Sequence, residues 1–245
     1  MPAPTLLARD VTKSFPDRDG AGSTPVLRGV SLAVHPGELV SIVGPSGSGK
    51  STLLHCLSGL EAPTSGSVEI VGTPLTGISA AALAKLRREH VGFVFQSYNL
   101  ISSLTAWDNV ALPARLARRR VRAEEVDRAL AHVGLGDRAH HKPAALSGGQ
   151  QQRVAIARAL AVERDVVFAD EPTGALDTAA GAQVLALLRE AASGRRAVVM
   201  VTHDLEAAAT ADRVLVLRDG TIHAELVAAG AAQVLDAVTR AAAQV

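Results

Sequence analysis

The sequence predicts an α/β protein with a parallel-sheet core, an antiparallel β arm at its N-terminus and a helical insertion in its middle. Three observations predict it. Residues 39–43 form a short apolar run that ends at Gly44 and passes into a stretch with Leu53, Leu54, Leu57 and Leu60 at helical spacing. Two more apolar runs, 166–169 and 197–201, each follow a helical pattern, and helices alternating with wholly apolar strands imply a parallel sheet covered on both faces. Between these blocks, residues 97–145 read as mostly helical with no clear buried strand, which makes them an insertion.

Taken in order, 6–15 and 26–34 read as extended segments joined by a connector, 16–25, rich in Pro, Asp and Gly, so the pair reads as an antiparallel arm with a long loop. A buried strand at 39–43 then leads through glycines to a helix at 51–60. Further strands are expected at 66–72 and 91–96, with a helix at 80–89 between them. After the insertion, a helix beginning near Ser147 leads to the strand at 166–169, and a second, 179–192, leads to 197–201. Residues 214–218, then Asp219-Gly220, then 221–226 have the form of a hairpin. The tail from 231 to 245 places Val234, Leu235 and Val238 on one side of a helix. One domain over 1–245 accounts for this, with a core from 1–96 and 146–226, a subdomain at 97–145 and a tail at 227–245.

Composition narrows the class. With 48% hydrophobic and 20% charged residues, the chain has the make-up of a folded globular protein. A formal charge of +1 gives no overall reason to expect nucleic acid as a partner, since phosphate backbones select for concentrated Lys and Arg. Cys56 is the single cysteine and has no internal partner, and the start, Met1-Pro2-Ala3-Pro4, lacks the basic and apolar stretches of a secretory signal. Both features lead us to expect a cytoplasmic location. No window approaches the roughly eighteen consecutive apolar residues of a membrane span.

Gly44-Pro45-Ser46-Gly47-Ser48-Gly49-Lys50-Ser51 satisfies the P-loop pattern, and it stands between a buried strand and a helix, where the pattern has a mechanism. Its glycines let backbone N–H groups converge on phosphate oxygens, and the helix N-terminus adds partial positive charge. Lys50 is then placed to neutralise the β- and γ-phosphates of a bound nucleotide, Ser51 to ligate Mg²⁺, and Thr52 to support the α-phosphate side. Asp170 and Glu171 close the apolar run 166–169, at the strand edge where ligands of parallel sheets collect. Asp170 suits Mg²⁺ held through water, and Glu171 suits orienting or deprotonating an attacking water.

Leu146-Ser147-Gly148-Gly149-Gln150 opens another helix, with Ser147 as its N-cap. Alone, a Ser-Gly-Gly turn is usually only a cap. In a chain that also carries a complete P-loop, it reads as a second anion site.

With these residues in place, the chain resembles the ABC ATPase family over nearly its whole length, from Leu6 to about Leu226. Leu146 to Gln150 matches the family signature. In that family two cassettes pack head to tail, so the resemblance implies a homodimer in which Ser147, Gly148, Gly149 and Gln150 meet the γ-phosphate of ATP bound to a partner copy. Gln96 matches the Q-loop glutamine, implied to touch Mg²⁺ or the attacking water and to couple to a transmembrane partner. Asp177, in Gly174-Ala175-Leu176-Asp177, matches the D-loop at the dimer interface, and His203 matches the switch histidine at the γ-phosphate. Phe15 stands where the family stacks an aromatic ring on adenine; tyrosine is commoner there, and phenylalanine keeps the stacking surface.

The resemblance therefore implies a MgATP-hydrolysing subunit on the cytoplasmic face of the membrane, peripheral to it through a separate permease. Residues 91–100, 170–177 and 201–204 look most like the bacterial branch serving lipoprotein release, macrolide or peptide efflux and cell-division signalling. A non-transport cassette acting on DNA or ribosomes is the rival reading; the long coiled-coil or zinc insertions, or second cassette, of those proteins are not seen here. A P-loop kinase leaves Ser147 and His203 without a purpose. Cys56 reads as a small buried hydrophobe, and His140 with His141 cannot share a helical face, which argues against a metal pair. Arg115, Arg118, Arg119, Arg120 and Arg122 read first as a solvated basic face, with lipid headgroups or acidic permease loops as the other candidates. Tyr98 and Trp107 flank the same insertion and are expected to border a permease-docking groove.

Overall fold

Alternating burial builds the N-terminal arm. In the computed structural model, which describes residues 3–17 and 22–243, strand β1 (Leu6–Pro16) buries Leu6, Ala8 and Val11, while β2 (Ser23–Val34) buries Leu27, Val30, Leu32 and Val34. The two pair antiparallel from Leu6 opposite Val34 to Pro16 opposite Ser23. Both strands therefore run further into the expected connector than 6–15 and 26–34; its middle, 18–21, lies outside the described residues, as do 1–2 and the last two residues of the tail. The register slips between Ala8 and Val11, where Asp10 takes a left-handed φ of 48° and its N–H donates to Ser31 Oγ at 2.8 Å.

β3 (Leu39–Val43) is buried at all five positions and feeds α1 (Lys50–Leu57). The helix stops short of the expected 60 because Gly59 turns left-handed, φ 68°, and Leu60 swings out to become 37% exposed. β4 (Ser65–Ile70) pairs antiparallel with β1, Leu6 opposite Ile70, and with the two-residue β5 (Thr73–Pro74). The strand expected at 66–72 thus belongs to the arm, a four-stranded sheet of order β2-β1-β4-β5.

The remaining elements in order are α2 (Ala80–His90), β6 (Val91–Val94), α3 (Ala106–Leu116), α4 (Ala123–His132), α5 (Gly148–Leu160), β7 (Val166–Asp170), α6 (Thr178–Ala191), β8 (Ala197–Val201), α7 (Leu205–Ala208), β9 (Arg213–Arg218), β10 (Thr221–Val227) and α8 (Ala231–Ala243). The second sheet runs β10-β9-β3-β8-β7-β6; all its pairings are parallel except the β9–β10 hairpin at the edge. Because side chains alternate across a strand, Val167 and Ala169 of β7 pack on the side of α5 and α6, while Val166 and Phe168 pack with α1 and the arm. Phe168 is wholly buried, and truncating it to alanine would cost about 3–5 kcal/mol.

α3 and α4 lie within 97–145, and Asn109 fixes the loop that leads into them. Its buried amide accepts from Ile101 N at 2.8 Å and donates to Thr105 O at 2.9 Å. Arg158 of α5 donates to the carbonyls of Tyr98 and Asn99, both of which have left-handed φ, so the chain beyond β6 is clamped on two sides. In α8 the buried residues are Val234 and Ala241; Leu235, one step or 100° further round, is 53% exposed and does not share the inward side expected for it.

Candidate nucleotide site

The site forms where β3, β7 and β8 end. Gly44 follows β3, and a Cβ there would lie 2.0 Å from the Leu217 carbonyl oxygen of β9, so no larger residue lets the loop leave the sheet at that point. Pro45 and the exposed Ser46 carry the chain over the sheet edge to Gly47, whose φ of 81° turns its backbone toward a cleft; a Cβ on Gly47 would meet nothing within 4 Å. The cleft, about 280 Å³, is lined by Val26, Gly47, Gly49, Lys50, Ser51 and Thr52. Buried beside it, Ser48 Oγ has no hydrogen-bond partner among the described residues. A left-handed glycine loop and a helix N-terminus that carries a lysine and a hydroxyl into the cleft together fit a polyphosphate.

Lys50 Nζ donates to the carbonyls of Gly44 and Pro45, each at 2.9 Å, so the loop holds its own lysine. Burial lowers the Lys50 pKa, and the nearby charges of Glu171 and Asp170 oppose that shift. Asp170, the last residue of β7, accepts from Ser51 Oγ at 3.3 Å. Burial raises its pKa, against the pull of His55 and the Ser51 hydrogen bond. Ser51 and Asp170 thus form an all-oxygen pair of the kind hard divalent cations take.

Glu171 sits one residue past the strand with φ 46°, and its N–H still donates to Val201 O at 2.9 Å, which fixes the turn against β8. Its carboxylate meets His203: Nδ1 lies 2.9 Å from Oε2, and the His203 backbone N–H donates to the same oxygen at 3.3 Å. Gln96, exposed just beyond β6, brings its side-chain amide beside Gly174, where a Cβ would stand 3.0 Å from Nε2. Gly174 is itself tied to Glu171 through its N–H and the Glu171 carbonyl, 3.1 Å apart.

Phe15 is 39% exposed at the end of β1, with Lys13 Nζ 4.9 Å from the ring centroid. Ser147 caps α5 in a reciprocal box with Gln150: Ser147 Oγ accepts from Gln150 N at 3.3 Å, and Gln150 Oε1 accepts from Ser147 N at 2.9 Å. Gly148 lies against the Tyr98 hydroxyl and Gly149 against Ala180, and each leaves less than 3 Å for a Cβ. Asp177 caps α6 by accepting from Ala180 N at 2.8 Å.

The structure therefore joins Lys50, Ser51, Asp170, Glu171 and His203 by direct contact or close charge. Ser147, Gly148 and Gly149 sit elsewhere, beside Tyr98 and α6, and do not line the Lys50 cleft. Two neighbours escaped the sequence reading. His55 Nε2 lies 3.8 Å from Asp170 Oδ2, and its spacing of four from Ser51 on α1 was the available signal. Lys13, two residues before Phe15 on the same strand face, supports that ring and is anchored by Glu61 and the Ala62 carbonyl.

A parallel sheet with a phosphate loop after one strand and two carboxylates at the end of another defines a P-loop nucleotide hydrolase. Comparison narrows this further: residues 27–174 match the ABC transporter family. The chain belongs to that family, as one of its ATP-binding, ATP-hydrolysing cassettes. It is 47% identical over 227 residues to the macrolide export ATP-binding/permease protein MacB of Azoarcus sp. (strain BH72), covering 91% of this chain and 34% of that protein. Against MacB of Escherichia coli (strain K12) the identity is 48% over 224 residues, with 89% and 34% covered. The chain thus spans about a third of the length of these relatives. Among solved structures, the dimeric post-hydrolysis state of the ATP-binding cassette MJ0796 bound to ADP and Pi is 40% identical, with TM-score 0.84 over 92% of this chain and 99% of that one. CbiO1 from Clostridium perfringens, part of the ABC transporter complex CbiONQ, is 27% identical with TM-score 0.79 over 96% and 92%. No helix among the described residues is long and apolar enough to cross a membrane.

Proposed function

We propose that two copies of this chain close head to tail on two ATP molecules and, by opening after hydrolysis, drive a separate permease of the export or mechanotransmission type. One observation carries the reading: the two phosphate-binding turns of the chain are apart, and the Lys50 cleft has no wall contributed by Ser147, Gly148 or Gly149. A second copy supplies that wall. Support comes from the MJ0796 cassette, which is dimeric and bound to ADP and Pi.

On this reading Lys50 exchanges the Gly44 and Pro45 carbonyls for β- and γ-phosphate oxygens. The loop from Gly44 to Thr52 holds the phosphates, and Phe15 stacks on adenine. Ser51 and Asp170, with Gln96 reaching in, hold Mg²⁺, which when bound offsets phosphate charge. Glu171 takes the proton of the attacking water. His203 fixes the Glu171 carboxylate and faces the γ-phosphate. The partner subunit's Ser147, Gly148 and Gly149, set by the box that Gln150 closes, meet that phosphate from the far side, and Asp177 crosses the interface.

Residues 97–145 form the subdomain that meets the permease, which places the cassette at the cytoplasmic face of the membrane. The macrolide-export names of the relatives support export. The test is ATP turnover by the chain alone and reconstituted with its permease in lipid. Stimulation by the permease, abolished by Glu171→Gln, is the expected result; turnover indifferent to every co-encoded membrane protein would reject the transport role.

A further inference from the structure

Glu171 leaves β7 in a left-handed conformation, which a residue with a Cβ seldom adopts unless its surroundings hold it there. Two ties are backbone bonds: the Glu171 N–H to Val201 O at 2.9 Å, and the Gly174 N–H back to the Glu171 carbonyl at 3.1 Å. The third is a side chain. Gln152 of α5 donates from Nε2 to the carbonyl of Pro172, the residue after Glu171, at 2.9 Å. No backbone N–H reaches that carbonyl among the described residues. Pro172 has no N–H of its own and its ring locks φ, so a hold on its carbonyl is a hold on the peptide that joins it to Glu171.

Gln152 is wholly buried, and it is the one polar side chain among the buried residues of α5. A buried amide costs free energy unless both of its ends are paired, and here Oε1 has no partner among the described residues. Turning the amide over would set Oε1 against the Pro172 oxygen, so only the observed orientation makes a bond. Packing alone would be served as well by methionine, which has the same reach and no unanswered acceptor. The donor at Pro172 is thus the one engaged group of the amide. The helix that carries it is itself fixed, at its start, by the box between Ser147 and Gln150. Gln152 does not line the Lys50 cleft.

We propose that Gln152 is a positioning residue for ATP hydrolysis: through the Pro172 carbonyl it holds Glu171 at the angle from which the carboxylate meets His203 and faces the attacking water. This rests on the reading of Glu171 as the base. Gln152 touches neither nucleotide nor water, so its effect falls on the rate of the chemical step and leaves nucleotide binding as it was.

Gln152→Met in the full chain is the test, since it keeps the volume and removes the donor. Its kcat is expected to fall about 10- to 100-fold, the scale set by a small misplacement of a reacting group, with KM changed less than about twofold. Hydrogen exchange read by mass spectrometry should quicken in residues 171–177 and stay as in the wild type in the phosphate loop and α1. In the double variant with Glu171→Gln, phosphate release from radiolabelled ATP should be no slower than in Glu171→Gln alone, because the two residues act as one unit. Gln152→Asn, whose amide is one methylene shorter, is expected to lose rate in the same way and serves if Gln152→Met does not fold. An unchanged kcat, a rise in KM alone, faster exchange throughout the chain, or losses that multiply in the double variant would each overturn the proposal. An inactive Glu171→Gln beside a fully active Gln152→Met would remove Gln152 alone, whereas Glu171→Gln at the wild-type rate would remove the base on which the proposal rests.

Discussion

His203 and Glu171 meet through two hydrogen-bonding groups on one oxygen: the imidazole Nδ1 at 2.9 Å and the backbone N–H at 3.3 Å from Glu171 Oε2. Glu171 reaches this position from a left-handed backbone, φ 46°, a conformation that costs about 1–3 kcal/mol in a residue with a side chain. The strain is held by β8, whose Val201 carbonyl takes the Glu171 N–H. A carboxylate fixed in this way, near the Lys50 charge, has the placement that the proposed removal of a proton from water requires.

Glu171→Gln keeps the shape and the His203 contact but removes the base. Turnover is expected to fall about 10²–10⁴-fold with ATP binding intact, and light scattering in ATP should show a stable dimer. Turnover at the wild-type rate would remove Glu171 from the mechanism.

His203→Ala is expected to lower kcat about a hundredfold while KM changes little, because it frees the Glu171 carboxylate and leaves the phosphate loop in place. Steady-state kinetics across ATP concentrations check the split. A rise in KM with kcat unchanged would show that the histidine serves binding alone.

Ser147→Asp separates capping from catalysis. Aspartate caps a helix as well as serine does, so α5 and the melting temperature should be kept, whereas its charge would face the γ-phosphate of the opposite copy. Expected are normal ATP binding by the monomer and loss of both ATP-induced dimer and turnover; undiminished turnover would place Ser147 away from phosphate.

Gly44→Ala forces a Cβ to within 2.0 Å of the Leu217 carbonyl oxygen, a backbone atom with no easy way to move. Denaturant unfolding should show a loss of about 1–3 kcal/mol, accompanied by weaker nucleotide binding.

Cys56 is fully buried in α1, and burial pushes its thiol up to about 11. Its thiolate is therefore scarce at pH 8, and the native chain should resist thiol-specific reagents until denaturant is added. Rapid modification of the folded protein would contradict this packing.

Much of this was legible because the chemistry is local. A phosphate loop needs glycines, a lysine and a hydroxyl within eight consecutive residues, and Asp170 with Glu171 ends an unbroken apolar run, so both motifs can be read without knowing the fold. What stayed hidden depends on distant partners. That β4 joins β1 and not the parallel sheet follows from a pairing of Leu6 with Ile70, sixty-four positions apart, which no local pattern encodes. The left-handed turn at Glu171 is imposed by β8, and the end of α1 by Gly59. Leu235 misled because neighbouring apolar residues in a helix point 100° apart, and of the two only Val234 is buried.

The most direct test is a structure of Glu171→Gln loaded with ATP. The account predicts each γ-phosphate between Lys50 of one subunit and Ser147 of the partner subunit, with two nucleotides buried at one interface. A nucleotide held by Lys50 and Ser147 of the same polypeptide, or Ser147 remote from any phosphate, would contradict it.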